Sequence, residues 1–161
     1  MLDLIYNRTV DDVAEALRLA RKAFAGTLTD EEKTVWLAGM KGAYSAADMS
    51  RVAAAVSTLS GLLNAAGYKN EISAQNFVEG EDSTDEKYSV YLANVQTLRD
   101  AIAVRASTPE LPAADAKLDF VGANNIEKIL ADLDELLGWM KYSQKYCGTF
   151  AAGQIILPRK G

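Results

Sequence analysis

Between Ser45 and Gly67 the chain sets Val52, Val56, Leu59 and Leu63 three or four residues apart, with Ala55, Leu62 and Ala66 beside them. A helix of 3.6 residues per turn gathers that spacing on one face, whereas a strand would divide it between two. Ser45 and Asp48 stand in front with capping-box spacing, and Gly67 supplies a stop. The pattern predicts a helix over about residues 46–66 whose apolar seam needs a partner surface.

The same logic finds further helices. Thr9 is placed to cap a helix from Val10, with Asp11 and Asp12 facing its free amides. Val13, Leu17, Ala20 and Phe24 form a stripe that reads as a core-packing face, and Gly26 ends the segment. Thr29 and Glu32 repeat the capping box ahead of a short helix carrying Val35 and Trp36. Gly39 and Gly42 put a turn into residues 36–44, with Trp36 and Tyr44 as its aromatic clamp. Ser83 or Thr84 starts a helix lined by Tyr88, Tyr91, Leu92, Val95, Leu98 and Ile102, ending before Pro109. A last helix runs from about Asn124 to Gln144 on Ile126, Ile129, Leu130, Leu133, Leu136 and Leu137, entered through Phe120 and Val121. Asp132, Asp134 and Glu135 read as its solvated charges, Gly138 as a place of close contact, and Asn124 and Asn125 as partners for free amides at its start. The fold class expected is therefore mainly α: four to five amphipathic helices in a compact, mostly antiparallel array over residues 1–147. A small extended or hairpin-like segment, 148–161, follows it as an appendage packed on the same domain or pairing with a partner.

The composition narrows function. The chain of 161 residues contains no histidine and a single cysteine, Cys147. Cys–His, Ser–His–Asp and zinc–histidine arrangements cannot be assembled from it, and Cys147 reads as a small apolar residue. The acidic run Glu79 to Glu86 lacks the ordered spacing of a calcium loop and reads as a solvated linker. A net charge of -5 argues against a broad phosphate-binding surface, so no nucleic-acid partner is expected. Asp3, Asp11 and Asp12 interrupt the amino-terminal region, so neither a signal peptide nor membrane insertion is expected. No catalytic residue, metal site or cofactor is assigned, and the expected activity is protein contact.

Several blocks taken together carry a resemblance. They are Tyr6 to Val13, Trp36 to Tyr44, Asp48 to Val52, Ala123 to Glu127 and Gly148 to Gly153. In this order they resemble a recurring module in structural and tail-associated proteins of phages and prophages from Gram-positive gut bacteria, touching most of the chain discontinuously. The resemblance implies a tail or baseplate component, or an assembly accessory, present in host cytoplasm during assembly and in the virion tail. Its implied partners are phage tail or baseplate proteins, with homo-oligomer formation as a second kind of contact. The interface candidates are Trp36, Lys41, Tyr44, Arg51, Asn124, Asn125, Thr149 and Phe150. For the aromatics the competing role is that of core or turn anchor, and for Lys41 and Arg51 that of ordinary surface charge. A small protein-binding or regulatory module unrelated to a virion is the alternative function.

Overall fold

A computed structural model describes residues 2–80, 84–115 and 117–147, with backbone alone for 143–147. Among the described residues the chain is mainly helical and has no strand. Its helices are α1 (Val10–Phe24), α2 (Asp30–Leu37), α3 (Ala46–Ala65), α4 (Asp85–Ala101) and α5 (Phe120–Cys147). The expected appendage, with Thr149 and Phe150, lies outside the described residues, as do Ser83 and the side chain of Cys147.

Helix starts are set by side chains that accept from otherwise unpaired amides. Thr9 Oγ1 accepts from the Asp12 N–H at 3.2 Å, and the Asp12 carboxylate accepts from the Thr9 N–H at 2.8 Å. Thr29 and Glu32 make the same reciprocal pair at 3.2 and 3.1 Å. Thr84 Oγ1 caps α4 through the Lys87 N–H at 3.2 Å. The start of α5 corrects the sequence expectation. Asp119 accepts from the Gly122 N–H at 2.7 Å, so Phe120 and Val121 are already helical and Asn124 and Asn125 lie in the second turn. Helix α4 ends before Pro109 as expected, but it stops at Ala101, and Ile102, expected on its apolar face, adopts extended geometry, φ -140 and ψ 149. Ile102, Val104 and Leu111 then pack against the core from the connection.

Helices α3, α4 and α5 pack on one another. Val52, Val56, Leu59 and Leu63 of α3 meet Leu92, Val95 and Leu98 of α4 and Ile126, Ile129, Leu130 and Leu133 of α5 in one buried cluster. Each such side chain stabilises the fold by about 1.5–3 kcal/mol when removed from water. Among their described residues the two long connections contain no helix or strand, and polar side chains tie them down. Asn94 accepts from the Ser73 N–H at 2.9 Å and donates to the Ser73 carbonyl at 2.8 Å, while Ser50 donates to the Phe77 carbonyl at 2.8 Å. Thr108 donates to Asp132 at 2.9 Å and Arg105 to Glu135 at 2.8 Å. Asp132, expected in solvent, is therefore buried, and it also pairs with Lys128.

The hairpin of α1 on α2 is a second packing unit. It buries Ala16 and Leu19, while Leu17 and Phe24 of the expected core stripe are 53% and 100% exposed. An eight-residue α2 is too narrow to cover the whole apolar circumference of α1. The hairpin is cross-linked at its rim, where Glu32 receives Lys22 at 2.6 Å and Arg18 at 2.8 Å. Lys22, then Arg18 and the Thr29 N–H, hold the Glu32 carboxyl at about 2. A carboxyl depressed in the folded state contributes stability that is complete above its unfolded value of about 4.3 and is lost as pH falls through the folded one. Carbon-detected NMR titration of the full chain should thus place the Glu32 midpoint near 2, and Lys22→Met should raise it. A midpoint at the ordinary glutamate value would contradict this cross-link.

Candidate protein-interaction surface

The largest convergence of the expected positions is centred on Arg8, whose residue is 4% exposed. Its Nε donates to the Lys41 carbonyl at 3.0 Å, and its Nη1 donates to the Ile5 carbonyl. Its Nη2 meets Asp48 at 3.1 Å and Glu127 at 2.8 Å. The guanidinium carbon lies 5.0 Å from the centre of the Tyr44 ring, and Tyr44 Oη is 2.6 Å from Tyr91 Oη. Arg51 completes the cluster, pairing with Asp48 at 2.7 Å and Glu127 at 3.0 Å. Two guanidiniums thus face two carboxylates and balance in charge.

The amino-terminal segment is threaded into this cluster. Glu127 Oε2 accepts from the Ile5 N–H at 2.6 Å. Asn124 holds both backbone groups of Arg8, accepting from its N–H and donating to its carbonyl, each at 2.9 Å. Asp134 takes the Leu2 N–H at 3.5 Å. Helix α5 therefore serves as a rail of acceptors for residues 2–8. Burial raises the hydroxyl pKa of Tyr44 and Tyr91, so both stay protonated. Burial works against the charge of Arg51, but Glu127 and Asp48 outweigh it and its pKa is raised. The acceptors are taken up by guanidinium and amide donors, and such an arrangement locks elements together.

Each candidate then has a place. Tyr44, Arg51 and Asn124 belong to this joint, as does the backbone of Lys41, whose ammonium pairs with Asp12 at 3.1 Å. The reading of Arg51 as a surface charge is corrected: its side chain is 22% exposed and crosses between α3 and α5. Asn124 caps no helix start and grips residue 8. Asn125 is half-buried next to it, and Trp36 stands apart, half-buried on α2. Arg8, Glu127 and Tyr91 were missed as site residues. The available signal for Glu127 was its position on the apolar face of α5, between Ala123 and Leu130 at helical spacing.

The outer surface carries large apolar side chains instead. Val10, Leu17 and Phe24 are exposed on α1, and Val35 and Leu37 on α2. At the other end Tyr6, Trp139 and Tyr142, all exposed, flank a groove of about 750 Å³ floored by Leu2, Leu4 and Ala131. The Arg105 guanidinium covers the Trp139 ring at 4.4 Å. Among the described residues no helix is long and apolar enough to cross a membrane. No family model, curated protein or solved structure matches the chain.

Proposed function

We propose that the protein is a non-enzymatic structural component of a phage or prophage particle, in the tail or baseplate or as an accessory to its assembly. It works through protein interfaces formed in the host cytoplasm. The observation that carries the interface reading is the outward placement of Val10, Leu17, Phe24, Leu37, Trp139 and Tyr142 on a scaffold whose buried charges are internally paired. Large apolar side chains grouped on a surface mark association sites, and aromatics are the usual anchors of such sites. The assignment to a phage particle is supported by the sequence resemblance alone.

The test is fractionation of intact particles from a host making a tagged full-length chain under phage-inducing conditions, with mass spectrometry of each fraction. Co-migration with tail proteins is expected. Recovery with a soluble cellular partner and no particle would replace this reading with that of a regulatory binding module.

A further inference from the structure

The amino-terminal segment covers one stretch of α5. Leu2, Ile5 and Arg8 meet Asp134, Glu127 and Asn124 in turn, so residues 2–8 run antiparallel to the helix, with residue 2 standing at Asp134. The helix continues beyond that point, and Ala131, Glu135, Gly138 and Tyr142 follow one another on a single face at helical spacing. Here the groove of about 750 Å³ opens over Leu2 and Leu4, and Trp139 and Tyr142 beside it are 57% and 64% exposed. The charged side chains around it are paired, with one exception. Lys128 pairs with Asp132, and Arg105 with Glu135. Asp134 meets no cation among the described residues, and its one hydrogen bond there is from the Leu2 N–H at 3.5 Å.

We propose that this groove is the dock for the carboxyl-terminal segment of the same chain, with Ile155 to Pro158 lying on Trp139 and Tyr142 and the basic pair Arg159 and Lys160 arriving at Asp134. Residues 148–161 lie outside the described part of the chain and follow α5 directly. From Tyr142 back to Asp134 the helix rises about 12 Å, and Ile155 to Pro158, extended, span about 13 Å. Gly148 to Gln154 can reach about 23 Å, against about 8 Å from Cys147 back to Tyr142, so the chain has ample length to reverse. Gly148 and Gly153 give that reversal a permissive backbone.

The order of residue types matches the groove. An apolar run meets the aromatic end first, and two cations follow where the uncompensated carboxylate stands, with no acidic residue anywhere in 148–161. Attachment to α5 makes the docking intramolecular, at an effective concentration of about millimolar, which favours the chain's own segment over that of a second copy. Trp139 and Tyr142 belong to the surface on which the proposed function rests, and a partner binding at this end has to displace the segment. The docking itself is independent of the phage assignment.

Paramagnetic relaxation NMR of the full chain tests it, with a nitroxide on Gly161→Cys in a Cys147→Ser background. The amides of Leu4, Ala131, Asp134, Glu135 and Gly138 should lose most of their intensity, while those of α2, in the other packing unit, keep theirs. Leu157→Asp should abolish the loss by opening the dock at least about 10-fold, since a carboxylate would replace the apolar contact. Asp134→Lys should weaken it, and Arg159→Glu with Lys160→Glu should restore it in that variant. Mixing an isotope-labelled chain with a spin-labelled chain of natural isotopes should give no loss. A loss in the mixed sample would assign the groove to the segment of a second copy and overturn the proposal. No loss within the single chain, or a loss indifferent to Leu157→Asp, would overturn it equally. Co-migration with particles does not depend on these results, so a failure here leaves the proposed function standing.

Discussion

Replacing Glu127 with alanine is expected to lower the stability of the domain by about 3–5 kcal/mol, the usual cost of stripping one partner from a buried ion group. The side chain is fully buried and satisfies Arg8, Arg51 and the Ile5 N–H together. Its loss leaves two guanidiniums, that of Arg8 fully buried, with Asp48 as their shared counter-charge. For a chain of this length, Tm should fall by about 2–4 °C per kcal/mol, or roughly 6–20 °C in all. Urea unfolding measures the loss directly. The companion experiment is a cycle with Arg8→Met, since removing both ends of one pair relieves the uncompensated charge. The double variant should be more stable than the sum of the single losses predicts, by about 0.5–3 kcal/mol. Strict additivity would mean that Arg8 and Glu127 do not act as one unit.

Gly42→Ala should be nearly as damaging, for a reason that has nothing to do with charge. A Cβ at residue 42 would stand 1.9 Å from the Asp12 carbonyl oxygen and 2.6 Å from the Val13 nitrogen. Both are backbone atoms in the first turn of α1, so no rotamer change relieves the clash. The turn must lift away from α1, withdrawing the Lys41 carbonyl from Arg8 and the Lys41 ammonium from Asp12. The expected loss is about 3 kcal/mol, with amides of the α1–α2 hairpin exchanging before those of α3 and α5. Gly61→Ala is the control. Nothing lies within 4 Å of that added Cβ, and the position is inside helix α3. Stability there should rise by up to about 1 kcal/mol. Equal responses at the two glycines would show that residue 42 does not seat the turn.

These two sites mark where the sequence was readable and where it was not. The seams of α3, α4 and α5 were legible because burial on one side of a helix leaves a local periodic trace. Val52 to Leu63 and Ile126 to Leu133 need no knowledge of their partners to be recognised. The stripe on α1 was equally legible as apolar, yet period cannot say whether a helix finds its partner in the same chain. Its assignment to the core therefore failed at Leu17 and Phe24. The cluster around Arg8 had no local signature at all. Arg8 and Glu127 are 119 residues apart and Arg51 and Glu127 are 76, beyond any spacing rule. The blocks containing Tyr44, Asp48, Arg51 and Asn124 were singled out together, but what unites them is a joint rather than an exposed patch. The start of α5 was misplaced because Asp119 caps it ahead of the first strongly periodic residue.

The rail of acceptors on α5 also dictates an order of events during synthesis. The hairpin of α1 and α2 depends on contacts between neighbours in sequence and can form as soon as its residues are available. Leu2, Ile5 and Arg8 cannot find Asp134, Glu127 and Asn124 until most of the chain has been made. Loop closure over such separations is slow relative to a local hairpin. Closure of residues 2–8 onto α5 is then a late step, joining segments 116 to 132 residues apart.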